Sequence, residues 1–423
     1  MIKVFKFGGA SVKDALAVKN LAAIVHRYQD SKLLVVVSAM GKTTNAFEKL
    51  LAFHFQQSKL SFEALDEILA YHTQIMKGLF QDTSHKVFQD VDLLFDEIKH
   101  ILHSPPDSCY DRAYDALVSY GELISTAIIN HFLVSQGLKS TLLDARSLVK
   151  TDSTNRDAVV DWEATTAAIE HTVSRLTSSF DILITQGFIG SDNEGKSVTL
   201  GREGSDYTAA IFGYALNAQD VTIWKDVPGL LNADPKFYKD AVKLDFITYS
   251  EAIELAYYGA PIIHPKTIKP LENKGIPLYV KSFLDPDAVG TVVGLGTQTT
   301  QLPASFIFKT QQVLISISPR DFSFIAEKNL QSIFEVFSRY NLSINLMQNS
   351  AISFSVCVDD RLGKTAEVIA ELQANYKVRY NKDLWLITIR HYNQETIDRM
   401  LEGKTVLLEQ RSRSTVQYVV AIV

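Results

Sequence analysis

In the first half of the chain, short apolar runs alternate with longer stretches whose apolar positions recur every three or four residues. IKVFKF (2–7), KLLVVVSA (32–39), STLLDA (140–145), DILITQGF (181–188) and DVTIWKD (220–226) are near-continuous in their apolar character. That pattern predicts strands buried on both faces. From Ala46 to Ser104 the spacing is helical, as in AFEKLLAFHF and FQDVDLLFDEIKHIL, and it stops at Pro105 and Pro106. A further helix is predicted through DRAYDALVSYGELISTAIINHFL (111–133). The alternation of strands and helices predicts an α/β fold: three layers, with a largely parallel sheet flanked by helices.

The texture changes near Thr291, where GTVVGLGTQTTQLPAS reads as a glycine- and threonine-rich connector. This divides the chain into residues 1–295 and 296–423. Beyond the connector, FIFKTQQVLISIS, EKNLQSIFEVFSRYN, LSINLMQNSAISFSVCV and KTAEVIAELQANY give a β-α-β-β-α order, that of a small α+β unit at about 310–380. DLWLITIR, NQETIDRMLEG, TVLLEQRS and TVQYVVAIV then begin the order again within 381–423. This second copy reads as shortened, without its last helix.

Composition narrows the possibilities. A chain of 423 residues exceeds one compact core, and 46% hydrophobic with 21% charged residues is ordinary for a globular protein. The net charge of −6 provides no concentrated positive surface for nucleic acid or for anionic lipid. Cys109 and Cys357 lack the spacing of a zinc site or disulfide framework, and the N-terminus lacks a signal-peptide core. No run reaches the ~20 apolar residues of a membrane span. These features predict a cytoplasmic protein.

Candidate chemistry begins at VFKFGGASVKD, where Lys6 interrupts an apolar strand just before Gly8 and Gly9. Glycines between a strand and a helix let backbone N–H groups approach an anion, and Lys6 would lie beside it. The alternative is a tight turn whose lysine reaches solvent. Gly41-Lys42-Thr43 resembles the end of a Walker loop, but Val36 stands where that loop requires glycine, and the reading is rejected. Ser38, Gly41, Thr43 and Thr44 then form a small-residue loop suited to a polar ligand. TQGFIGSDNEGKSVTLGREGSDYTAA predicts a strand, a hairpin at DNEG, and a glycine loop opening a helix with Ser205 and Asp206 at its cap. Arg202, in that loop, is a two-toothed donor suited to a carboxylate.

Six segments in order, KFGGAS, VVVSAMGKTTN, SYGELIST, TQGFIGSDNEGKSVTLGREGSDYTAA, WKDVPGLLNADPK and ITYSEAIELAYYGAPIIHPKTIKP, resemble the aspartate kinases of the amino-acid kinase family. The resemblance implies a catalytic domain over 1–295 and a regulatory pair of ACT units after it. It implies transfer of the ATP γ-phosphoryl group, with Mg²⁺, to the β-carboxylate of L-aspartate. It also implies a homodimer or higher homo-oligomer, with an amino-acid effector at the ACT region. Carried over by position, Lys6 and Asp206 are catalytic, with Asp206 orienting Lys6. Ser38, Thr44, Glu122, Arg202 and Ser205 bind aspartate, Arg202 taking the α-carboxylate and Glu122, near the middle of a helix, the ammonium. Gly8, Gly9, Ser11, Lys225, Asp226, Leu231 and Lys236 fall on the nucleotide side; for Lys225 and Leu231, loop packing is the competing reading.

The sequence departs from the family pattern in several places. Pro261 stands where a lysine usually approaches the ATP phosphates, leaving Lys225, Lys266 or Lys269 to supply a substitute charge. Glu203 replaces a glycine, where a positive φ would strain it, and Ala10 replaces a threonine. Asn345 and Ala351 stand where lysine-inhibited relatives offer carboxylates, so weak or absent lysine feedback is expected. These departures motivate one alternative: a kinase-like amino-acid sensor or regulatory subunit.

Overall fold

The computed structural model describes residues 1–260, 263–296, 302–321, 323–360 and 363–422. The chain forms two compact units. One comprises Met1–Leu230, Asp245–Ile253 and Ile263–Thr297, and the other Leu231–Leu244, Glu254–Ile262 and Gln298–Val423.

The strands of the first unit are β1 (Ile2–Phe7), β2 (Lys32–Val37), β3 (Ser140–Leu143), β4 (Ile182–Gln186), β5 (Ile189–Ser191), β6 (Ser197–Thr199), β7 (Val221–Lys225), β8 (Phe246–Thr248), β9 (Leu278–Ser282) and β10 (Thr291–Gly294). Eight of them form one sheet in the order β3-β4-β2-β1-β7-β9-β10-β8, parallel except between β9 and β10; β5 and β6 form a separate hairpin. All five runs with continuous apolar character are adjacent, parallel strands, from β3 at one edge of the sheet to β7. Thr291–Gly294 differs from the connector reading. Its two valines pair with Tyr279 and Leu278 of β9, which makes the glycine-flanked segment a strand.

The helices are α1 (Ala15–His26), α2 (Thr43–Phe55), α3 (Leu60–Leu79), α4 (Lys86–His103), α5 (Tyr110–Val118), α6 (Tyr120–Ser135), α7 (Ala145–Leu148), α8 (Trp162–Leu176), α9 (Gly204–Ala215), α10 (Tyr249–Tyr258) and α11 (Pro265–Lys274). The helix expected over 111–133 is divided at Ser119, whose hydroxyl donates back to the carbonyl of Ala116 at 3.0 Å. Residues 110–135 are apolar and long enough by composition to cross a membrane, but 83% of the apolar window is buried in the fold, as in a core helix. Alternation along β1 sends Phe5 and Phe7 into a core shared with Val35, Val37, Leu50, Phe95, Ile124 and Ile128. Val4 and Lys6 face the other way.

In the second unit, β11 (Ser305–Pro319), α12 (Glu327–Arg339), β12 (Ile344–Asn349), β13 (Phe354–Asp359), α13 (Thr365–Asn375), β14 (Tyr376–Arg390), α14 (Gln394–Leu401), β15 (Lys404–Arg411) and β16 (Thr415–Ile422) build one antiparallel sheet, β12-β13-β11-β14-β16-β15. Register shifts between Lys309 and Leu314, with Gln311 and Asp383 at positive φ, divide each long strand into two halves. The later half of β11 pairs with the earlier half of β14 and completes the first ACT-like half. Ser305–Lys309 pairs with Leu386–Arg390 and gives the second half a fourth strand. Among the described residues from 381 on, α14 is the one helix of this half, while its sheet reaches four strands because one comes from ahead of the first half. The segment Leu231–Leu244 joins α14 in covering this sheet: Ala233 packs with Phe306, Ile387, Ile397 and Tyr418, and Asn232 bonds to Ala304 and Phe306.

Candidate active site

A cleft of about 570 Å³ opens in the first unit at the C-terminal ends of β1, β2 and β7, against the start of α9. Such ends are where parallel sheets place ligands. It brings together Lys6, Ser38, Thr44, Glu122, Arg202, Ser205, Asp206 and Lys225.

Lys6 leaves β1 on the face away from Phe5 and Phe7, and its ammonium lies 2.5 Å from Oδ1 of Asp206. In register, Lys6 lies opposite Ile223 of β7, so Lys225, two residues on, points to the same face. Its ammonium is 3.7 Å from Oδ2 of Asp206. Burial alone would raise the carboxyl pKa of Asp206, but the two ammoniums outweigh it and hold the group below the usual carboxylate range.

The glycines beside Lys6 fix the approach of two loops. A Cβ at Gly9 would lie 2.7 Å from the carbonyl oxygen of Gly41, so the loops after β1 and β2 pack backbone against backbone. A Cβ at Gly8 would lie 3.3 Å from the Lys6 ammonium. Gly9–Val12 is a 3₁₀ turn, and α1 starts only at Ala15, capped by Asp14. Ser11 is buried, with its hydroxyl on the carbonyl of Trp224 at 3.3 Å.

Glu122 is in the first turn of α6 rather than mid-helix, because of the division at Ser119. Gly121 lets this turn approach Ala39, and Oε1 of Glu122 accepts the Ala39 N–H at 3.3 Å. Oε2 has no hydrogen-bond partner among the described residues. The side chain is fully buried, and burial pushes its pKa up to about 8. Ser125 holds the neighbouring loop through the carbonyl of Ser38 at 2.8 Å, and Thr44 lies in the first turn of α2.

Arg202 lies between Gly201 (φ 80°) and Glu203 (φ 55°). Glu203 is the cap residue of α9, without a side-chain capping bond; Ser205 and Asp206 follow inside the first turn instead of capping it. Asp206 thus turns to Lys6. Gly187 admits this turn to the sheet, since a Cβ there would lie 2.5 Å from Cβ of Ser205.

Sequence reasoning missed Tyr114, Arg156, Phe188 and Thr199, which also line the cleft. It also missed the residue organising them. Asp115 is buried and accepts from Thr199 Oγ1 at 2.6 Å, Asn155 Nδ2 at 2.9 Å and the Arg156 N–H at 3.0 Å. The Arg156 guanidinium lies over the Tyr114 ring at 4.3 Å. The one available signal was a second aspartate on the apolar helix DRAYDALV.

Other expected residues fall elsewhere. Asp226, Leu231 and Lys236 do not line this cleft, and the last two belong to the segment grouped with the second unit. On α11, Lys266 pairs with Asp157 of the loop ahead of α8 and Lys269 is exposed, so of the three substitute charges only Lys225 lines the cleft. Pro261 is outside the described residues.

Residues 1–282 match the amino acid kinase family. The chain is 33% identical over 403 residues to the lysine-sensitive aspartokinase 3 of Escherichia coli, covering 92% of this chain and 86% of that one. The chain belongs to the aspartokinases. Aspartokinase 1 of Arabidopsis thaliana, a chloroplast protein, is 32% identical over 84% of this chain and 63% of its own length. Among solved structures, E. coli aspartokinase III in complex with aspartate and ADP matches with a TM-score of 0.83 at 29% identity, covering 99% of this chain and 96% of that one. The same enzyme with lysine and aspartate matches equally, over 99% and 95%. As an aspartokinase this protein is a kinase, and its two-part architecture is that of its relatives: a mainly parallel α/β domain followed by an ACT-like antiparallel region.

Proposed function

We propose that this aspartokinase transfers the γ-phosphoryl group of Mg-ATP to the β-carboxylate of L-aspartate, giving 4-phospho-L-aspartate and ADP, the first step of aspartate-family amino-acid synthesis. The observation that carries the reading is the convergence of Lys6, Asp206, Glu122 and Arg202 in one cleft. A carboxylate is already ionised at neutral pH and needs no general base, so catalysis reduces to holding two anions in line and neutralising the charge between them.

In this assignment Arg202 takes the α-carboxylate and Glu122 the ammonium, while Ser38, Thr44 and Ser205 bound the aspartate. Lys6, held by Asp206, meets the transferring phosphoryl group, with the Gly8 and Gly9 backbone beside it. Ser11, Asp226, Leu231 and Lys236 are assigned to the nucleotide side. Among the described residues no group of three or more His, Cys, Asp or Glu side chains gathers; Mg²⁺ enters as part of the Mg-ATP substrate, held through phosphate oxygens. Residues 1–295 form the kinase domain and 296–423 the ACT regulatory region, which takes an amino-acid effector. A cytoplasmic homodimer or higher homo-oligomer completes the reading.

A hydroxylamine trap of the acyl phosphate tests it. Hydroxamate that requires L-aspartate and Mg-ATP, and is lost in Lys6→Ala, is the expected result. No hydroxamate from folded protein that still binds aspartate would replace the kinase with an amino-acid sensor.

A further inference from the structure

The mechanism above uses one lysine of the cleft floor, and the structure holds two. Lys6 and Lys225 stand at the C-terminal ends of adjacent parallel strands, on the same face, and flank the two oxygens of the buried Asp206 carboxylate. Their roles differ by geometry. Lys6 is tightly paired at 2.5 Å, with 11% of its side chain accessible; Lys225 is at 3.7 Å with 27% accessible and lines the cleft. Asp206 thus holds one ammonium closely and the second at a greater distance, and both line the cleft. Together these three groups carry a net positive charge.

In the step proposed, an oxygen of the aspartate β-carboxylate forms a bond to the γ-phosphorus. The bond between that phosphorus and the β,γ-bridging oxygen breaks, and its electron pair leaves with ADP. No proton is gained or lost, so the charge accumulating on the bridging oxygen and the phosphoryl oxygens must be met by fixed cations. A single lysine covers one side of a group that has charge on three equatorial oxygens and a leaving oxygen.

We infer that Lys225 is a further catalytic residue: its ammonium contacts the transferring phosphoryl group from the β7 side while Lys6 contacts it from the β1 side. The inference rests on the proposed kinase reaction. It also explains why a lysine is set at the end of a strand whose other residues are buried and mostly apolar. The neighbouring cations on α11 do not compete for the role, since Lys266 is paired with Asp157 and neither it nor Lys269 lines the cleft.

The test uses full-length Lys225→Ala, Lys225→Met and Lys225→Arg, each with a thermal unfolding midpoint matching the parent. Aspartate-dependent hydroxamate formation gives kcat and KM for Mg-ATP, and calorimetry gives the aspartate Kd. The expected result is a kcat loss of about 10²-fold in the Ala and Met variants, aspartate affinity within about twofold, and recovery of roughly a tenth of parental kcat or more by Arg. Parental activity within about threefold in Lys225→Ala, or an equal loss of aspartate binding, would overturn it. Should the parent form no hydroxamate, the kinase reading fails separately, and magnesium β,γ-methylene-ATP becomes the probe. Binding at least about tenfold weaker in Lys225→Ala then keeps the phosphate contact; equal or absent binding in both proteins removes it.

Discussion

Oε2 of Glu203 accepts the backbone N–H of His264 at 2.9 Å, so the left-handed residue ahead of α9 is tied to the cap of α11. A non-glycine residue in that conformation costs about 1–2 kcal/mol, and a hydrogen bond to a charged acceptor contributes about 1.5–3 kcal/mol. Glu203→Ala loses the bond and keeps the strain, whereas Glu203→Gly loses both. Urea unfolding is expected to show Ala less stable than Gly by about 1 kcal/mol. Equal stability of the two variants would mean that φ at 203 carries no cost.

Glu122 gives aspartate binding a pH dependence. Its folded pKa of about 8 exceeds the ordinary 4.5, so between these values the folded protein holds a proton that the unfolded chain releases. Stability of the ligand-free protein therefore falls as pH rises through that window, by up to about 1.4 kcal/mol per unit, and levels off above the folded pKa. A substrate ammonium needs the ionised form, so aspartate affinity should rise with pH toward about 8, by at most about tenfold per unit. Calorimetric titrations across this range, in buffers of different ionisation enthalpy, should also detect the released proton. Glu122→Gln should bind aspartate weakly with no such slope; an unchanged slope would exclude Glu122 as its source.

Asp115 joins α5, the β5–β6 hairpin and the loop at Arg156 through three hydrogen bonds. Asp115→Ala leaves the buried Thr199 hydroxyl and the part-buried donors of Asn155 and Arg156 without their acceptor, an expected loss of about 2 kcal/mol. Asp115→Asn keeps part of the set and should lose less. Denaturant midpoints check the order, and a loss in Asn equal to that in Ala would show that shape alone does not hold the loop.

In the second unit, both ends of the Asn345 carboxamide are in use: the Lys309 ammonium donates to Oδ1 and Nδ2 donates to Gln312, each at 2.8 Å. An incoming ammonium finds no carboxylate at 345 or 351. Micromolar lysine is therefore expected to leave the hydroxamate rate unchanged. Inhibition at that concentration would locate an effector site with different acceptors.

Five of the eight strands of the first unit's sheet were legible because each is a near-continuous apolar run, and Lys6 stood out as a charge set between apolar neighbours just before two glycines. Glu122 was found by its motif near the middle of the helical span 110–135, but the break at Ser119 puts it in the first turn of α6. At Ser119 the helix is interrupted at a residue that keeps helical φ and ψ, which no apolar spacing marks, and Gly121 acquires its meaning only against Ala39. Asp115 was missed because an aspartate on a helix ordinarily faces water; its three partners come from distant parts of the chain. At Thr291–Gly294, glycine content masked a strand that only pairing with β9 reveals. The second ACT-like half looked incomplete for the same reason, since nothing local in Ser305–Lys309 announces Leu386–Arg390 as its partner.

That interleaving has a cost during synthesis. Ser305–Lys309 emerges early with Phe306, Ile307 and Phe308 exposed and must wait for the whole first ACT-like half, and part of β14, before its partner exists. An unpaired apolar strand in that interval can pair with another chain. The two halves consequently have no separable histories: a nick, a deletion or a slow-folding change in one leaves an open edge in the other.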